Sequence, residues 1–141
     1  MIVTAASGIA RALAAAAERA YPEECCGLLI GRRTGDVVHI DEAAEGANVA
    51  SDRRRRFEVD PALRLALMRK LRGSARGIVG HYHSHPDGPA EPSAYDAALA
   101  FEPELVWLLV AVQGGRAAAP GAFRFDAEAG SFQRVQLTMA T

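Results

Sequence analysis

The stretch Gly77-Ile78-Val79-Gly80-His81-Tyr82-His83-Ser84-His85-Pro86 holds three of the chain's four histidines within five residues. Residues 77–82 form a short apolar run of strand type, which passes into a segment where every second residue is a histidine. Side chains two apart on a strand leave from the same face, so His81, His83 and His85 line one side of it. Two imidazoles so placed can converge on one metal ion. Zinc suits them: it takes nitrogen ligands at about 2.0–2.1 Å, and its catalytic sites use three protein ligands and leave a fourth position open.

Reading onward from the histidines, seven residues intervene before Ser93, and Asp96 follows three further on. Ser-x-x-Asp is a helix-capping pattern, so Ser93 begins a short helix through Leu99 and Asp96 falls in its first turn. Pro86, Gly88, Pro89 and Pro92 stiffen the connection and bring the helix start back beside the strand end at low entropic cost. A carboxylate delivered there completes a set of two histidines and one aspartate. Beyond it, residues 105–112 read as a buried strand with Trp107 in the core. Gly114-Gly115 makes a turn, and two alternating strands at 123–125 and 132–137 follow.

Reading back toward the N-terminus, Asp60-Pro61 opens a helix with Asp60 as N-cap and Pro61 at the first position, running through Leu63, Leu67 and Leu71 to Gly73. Residues 41–56 are polar and read as a surface connection. Residues 25–31 and 37–40 are strands joined by a turn at Thr34-Gly35-Asp36. Ile9, Leu13, Ala16, Ala17 and Ala20 form one apolar face at helical period, with Ser7 as N-cap and Pro22 beyond the end. Cys25 and Cys26, as neighbours on a strand, point to opposite faces and neither pair nor share a metal, which fits small core residues of a reduced, cytoplasmic protein. The predicted order α-β-β-α-β-α-β-β-β describes one α/β domain, residues 1–141, with helices packed on a single sheet.

Composition narrows the function. Sixteen basic against seventeen acidic residues leave a net charge of −1, which argues against a nucleic-acid binder with a basic surface. The alanine run 14–17 is bracketed by Arg11 and Glu18, and no segment approaches the ~20 apolar residues that cross a bilayer, so neither a signal peptide nor a membrane anchor is expected. A nucleobase-type zinc hydrolase would carry Cys-x-x-Cys ligands and a His-x-Glu, which this sequence lacks.

His83-Ser84-His85, seven residues, Ser93, two residues and Asp96 together resemble the metalloprotease signature of the JAMM (JAB1/MPN/Mov34, MPN+) family, prokaryotic type. That signature includes an upstream glutamate three residues before a glycine, and Glu24 stands three residues before Gly27 in Pro22-Glu23-Glu24-Cys25-Cys26-Gly27. Residues 57–61 also resemble the prokaryotic members. The resemblance implies a single MPN domain, a mixed, mostly antiparallel sheet flanked by helices in a cytidine-deaminase-like arrangement. It assigns His83, His85 and Asp96 to one Zn2+ per chain, Glu24 to acid/base duty and Ser93 to a place beside the scissile carbonyl.

The implied activity is hydrolysis of a peptide or isopeptide bond at the C-terminal tail of a ubiquitin-like or sulfur-carrier protein, with no nucleic acid or membrane partner and homodimerisation left open. Some MPN domains lack the metal set and serve as scaffolds; the complete set here disfavours that alternative. Glu23 competes with Glu24 but alternates to the other face, and His81 competes as a ligand but lies outside the family pattern. Ser84 has no base beside it and reads as a hydrogen-bonding strand residue. The run Arg53 to Arg56 is either a solvated loop or a docking surface for an acidic partner.

Overall fold

The computed structural model describes residues 1–140, in which eight strands and three helices follow one another. They are β1 (Ile2–Ala5), α1 (Ile9–Ala20), β2 (Cys26–Thr34), β3 (Val37–Gly46), α2 (Pro61–Lys70), β4 (Gly77–Pro86), α3 (Ala94–Ala98), β5 (Val106–Gln113), β6 (Arg116–Ala117), β7 (Gly121–Asp126) and β8 (Ser131–Met139). The strands lie in the order β4-β2-β3-β1-β8-β7-β5-β6, and β4 also pairs with β5, so seven of them close into a ring with β6 appended. Three pairings are parallel (β1 with β3, β1 with β8, β4 with β5) and the others antiparallel. This is the mixed, mostly antiparallel sheet expected.

Two faces of the sheet bury different things. One packs on α1, where Ile9, Leu13, Ala16 and Ala17 meet Leu29, Val38, Ile40 and Leu108 from the strands. The helical period read from the sequence is therefore a true core stripe. The other face carries α2 and the 47–60 segment. There Leu67 and Leu71 cover Leu28 and Ile30, while Phe57 packs with Cys26, Trp107 and Leu109. Cys25 and Cys26 do fall on opposite faces, one in each core, and both thiols are free.

Three local expectations need correction. Ser7 does not cap α1; Gly8 does, at φ 89° with no side-chain hydrogen bond, because the chain leaving β1 must turn through a left-handed conformation that glycine adopts without penalty. β1 itself is additional to the expected elements: four residues are too few for a period, and the strand exists because β3 and β8 flank it on both sides. Residues 41–46, read as loop, continue β3, since the hairpin register runs on to Cys26 opposite Gly46 across a bulge at Ile30/Gly31. Asp60 behaves as expected, its carboxylate accepting from the Ala62 amide at 3.0 Å ahead of Pro61.

Candidate functional site

The register of β2 against β4 builds the site. Cys26 lies opposite His83 and Gly27 opposite Tyr82, so the same antiparallel count sets Cys25 against Ser84 and Glu24 against His85. Ser84, fully buried, locks that step: its hydroxyl accepts from the Cys25 amide at 2.8 Å and its amide donates to the Cys25 carbonyl at 3.2 Å. Gly27 is needed because the Tyr82 ring lies across it; a Cβ there would stand 2.4 Å from the ring and 2.3 Å from the Ala44 carbonyl oxygen. On the other side of β4, parallel β5 brings Trp107 beside His81, Leu109 beside His83 and Ala111 beside His85. Phe57 stacks on the His83 ring at 4.3 Å, nearly parallel to it.

Ser93 caps α3 with a full capping box. Its hydroxyl accepts from the Asp96 amide at 3.1 Å, and its own amide donates to Asp96 Oδ2 at 2.8 Å. That short turn delivers the Asp96 carboxylate to the strand end. Asp96 Oδ2, His83 Nε2 and His85 Nε2 then form a triangle with all three edges at 3.1 Å. All three side chains are buried, as is Glu24. One ligand atom each of Glu24, His83 and His85 also lies within 4.8 Å of the others.

The protons available do not satisfy this triangle. His85 Nδ1 donates to the Pro89 carbonyl at 2.9 Å, which assigns its proton there and leaves Nε2 as a bare lone pair. That lone pair faces a carboxylate oxygen and a second imidazole nitrogen. His83 can bring only one proton when neutral, and its Nδ1 is buried without a partner among the described residues. One proton for three close edges leaves the set short of positive charge, which a cation at the centre would supply. Ligands of a tetrahedral zinc at 2.0–2.1 Å stand about 3.3–3.4 Å apart, so the residues fit that group with movements of a few tenths of an ångström. The bond from His85 to Pro89 and the bond from Ser93 to Asp96 are the outer contacts that orient such ligands.

The electrostatics point the same way. Burial drives the His83 pKa down. Burial also opposes the charged form of His85, but the Asp96 carboxylate and the Pro89 carbonyl outweigh it and raise the pKa. Asp96 is buried too, yet the two imidazoles hold its carboxyl well below the usual carboxylate range. Burial pushes Glu24 up to about 8, with His85 opposing and Asp96 adding to the rise. One oxygen of Glu24 is buried with no partner among the described residues.

The other sequence candidates sort out. Glu23 points away and pairs with Arg53 at 3.2 Å. His81 shares the face of His83 and His85 but stacks edge-on against Trp107 at 4.1 Å, outside the triangle. Burial lowers its pKa to about 3. The arginine run exposes four side chains, with Arg56 lying over the Tyr95 ring at 4.1 Å. Its backbone does more: the Arg53 carbonyl accepts from the Glu24 amide at 2.7 Å, and the Arg56 carbonyl accepts from Asn48 at 3.0 Å. Asn48 and Phe57 are site neighbours to which the sequence reading assigned no role. The only local signal for Asn48 is its type, since asparagine readily bonds the amide two residues on, as it does here to Ala50.

The described chain can now be set beside known proteins. The family model for prokaryotic homologs of the JAB domain matches residues 6–126. A desampylase of Haloferax volcanii is 33% identical over 93 residues, and the match spans 66% of each chain, just under two thirds of that enzyme's length. A protein of Desulfitobacterium hafniense with a solution structure superimposes at TM-score 0.85, with 28% identity over 99% of this chain and 93% of that one. The crystal structure of a JAB1/MPN domain protein from Archaeoglobus fulgidus shares the fold at TM-score 0.61, with 19% identity over 99% of this chain and 97% of the other. With the MPN sheet, the buried His-His-Asp triangle and a family match over most of its length, the chain belongs to the prokaryotic JAB-domain family.

Proposed function

We propose that this protein is a zinc metallopeptidase or isopeptidase that hydrolyses the bond at the C-terminal tail of a ubiquitin-like or sulfur-carrier protein. One observation carries the reading: the equilateral 3.1 Å triangle of His83 Nε2, His85 Nε2 and Asp96 Oδ2, with the unpartnered Glu24 carboxyl beside it. Residues 1–141 act as one domain, and a cytoplasmic setting suits its two unpaired cysteines. The desampylase relative supports a ubiquitin-like substrate.

His83, His85 and Asp96 would hold the zinc. Bound there, it supplies Lewis acidity, lowering the pKa of water to about 7 and polarising a carbonyl. Glu24 takes a proton from the attacking water and passes it to the departing amine; its buried, unpaired carboxyl suits a group that must hold and release a proton near neutrality. Ser93 keeps its hydroxyl proton, because its oxygen only accepts within the capping box, and that proton is free to donate to a developing oxyanion. An extended tail has a place to lie. A groove of about 290 Å3, walled by Leu28, Phe57, Leu99, Phe101 and Trp107, runs beside His81, and a second of about 250 Å3, lined by Ser51, Arg56, Tyr95 and Leu99, reaches Asp96.

Metal analysis of the purified protein is the first test. About one zinc per chain is expected, lost in His83→Ala and Asp96→Ala; full retention in both variants would sink the site. The second is mass spectrometry of diglycine-ended ubiquitin-fold proteins, free and conjugated, after incubation with the enzyme. No mass change on any of them would favour a non-catalytic scaffold instead.

A further inference from the structure

Asn48 uses every hydrogen-bonding valence of its side chain, and it does so across three separate pieces of chain. Its Nδ2 donates to the Glu24 carbonyl and to the Arg56 carbonyl, each at 3.0 Å. Its Oδ1 accepts from the Ala50 amide at 3.0 Å and the Glu58 amide at 3.1 Å. Both amide protons and both acceptor sites are therefore engaged.

The geometry around Glu24 gives this clip a purpose. Glu24 precedes β2, so no sheet ladder holds its own backbone. On its C-terminal side, Cys25 is fixed to β4 through Ser84. On its own peptide, the amide donates to the Arg53 carbonyl and the carbonyl accepts from Asn48. Both of those partners sit on the 47–58 segment, whose shape Asn48 sets through Ala50, Arg56 and Glu58. The same segment carries Phe57, stacked on His83. One amide side chain thus ties the backbone of the carboxyl-bearing residue to the loop that roofs the histidines.

We propose that Asn48 is a positioning residue for Glu24: it fixes the peptide from which the Glu24 carboxyl reaches the His83, His85 and Asp96 set, without touching any of those three ligands. The inference rests on the acid/base role proposed for Glu24. It also gives the arginine run its function, which is to present two backbone carbonyls rather than four charges.

The test is a double-mutant cycle on the zinc-loaded enzyme, with a diglycine-ended ubiquitin-fold protein carrying a fluorogenic amide at its C terminus as the probe. Asn48→Ala is expected to lower kcat by ten- to a hundredfold with KM and zinc content unchanged. In a Glu24→Ala background the same substitution should change the residual rate less than threefold. Independently of activity, hydrogen exchange at the Glu24 and Glu58 amides should quicken while β4 stays protected. Asn48→Asp provides the second variant: it keeps the acceptor for Ala50 and Glu58 and loses the donors to Glu24 and Arg56, so it should behave as Asn48→Ala does. An equal loss in both backgrounds, a fall in zinc content, or unchanged exchange at Glu24 would overturn the proposal and leave the Glu24 reading standing. Should neither variant fold, Asn48 belongs to stability alone and the proposal fails. A fully active Glu24→Ala enzyme would remove the parent reading, and this one with it.

Discussion

The two faces of the sheet bury side chains under opposite rules. Against α1, every buried member is apolar or a quiet thiol or phenol, and the packing of Leu13, Leu29, Ile40 and Leu108 stabilises the fold in the ordinary way. On the face of the histidines, Glu24, His83, His85 and Asp96 are buried together, and two of their polar atoms have no partner among the described residues. Buried groups left in that state cost about 1–3 kcal/mol each. The first face therefore maintains the second, and the second holds chemistry that a stability criterion alone would remove.

The largest effect that separates the faces is on turnover. Glu24→Ala should lower the rate of hydrolysis roughly 10²–10⁴-fold, the usual worth of a positioned acid/base group, while the metal-free variant melts no lower than the parent. Steady-state kinetics beside thermal unfolding checks both halves. Leu13→Ala, on the other face, should do the reverse: about 2–5 kcal/mol of stability lost by denaturant titration, with zinc content and turnover per folded molecule unchanged. A Leu13 variant that lost zinc while still folded would show that the faces are coupled.

Acid should divide them again. His83 and His85 bind metal only as neutral imidazoles, so protons compete with zinc: affinity is full above the imidazole pKa and falls by about tenfold per pH unit per ligand histidine below it. In the core under α1 the two buried groups that can ionise are moved away from this range, since burial pushes the Cys25 thiol up to about 11 and the Tyr82 phenol also upward. Zinc release followed by a chromophoric chelator should therefore precede any loss of far-ultraviolet circular dichroism as the pH drops. The smallest effect belongs to Asp60→Ala, which removes the cap of α2 and touches none of Glu24, His83, His85 or Asp96. It should lower stability by about 1 kcal/mol and leave zinc and turnover alone.

What could be read in advance follows from how far each residue must look for its partners. His83 and His85 share a face because of strand pleating, and Asp96 reaches them because Ser93 caps a helix three residues earlier; both are short-range facts. The stripe on α1 and the cap at Asp60 are equally local. Glu24 stands 59 residues before His83 (83 − 24), and only the family resemblance, not any local period, singled it out. β1 and the far half of β3 were invisible for the same reason, being strands by virtue of their neighbours. Asn48 is the extreme case. Its meaning lies in bonds to residues 24, 50, 56 and 58, and all four are made to backbone atoms whose positions no side-chain pattern encodes.

The closed ring has a consequence for how the molecule comes into being. β1 leaves the ribosome before the other described strands, yet one of its two neighbours is β8, where Ile2 pairs with Gln136, 134 residues later (136 − 2). The ladder from β2 to β4 to β5, with α3 between, is complete by residue 113. During synthesis β2, β4, α3 and β5 can therefore all be present while the ring is still open. Closure by β8 has to wait for the end of the described chain, a pairing between distant segments of the kind that slows folding. Until then β1 and β7 each present an unpaired edge, since β8 is the strand that lies between them.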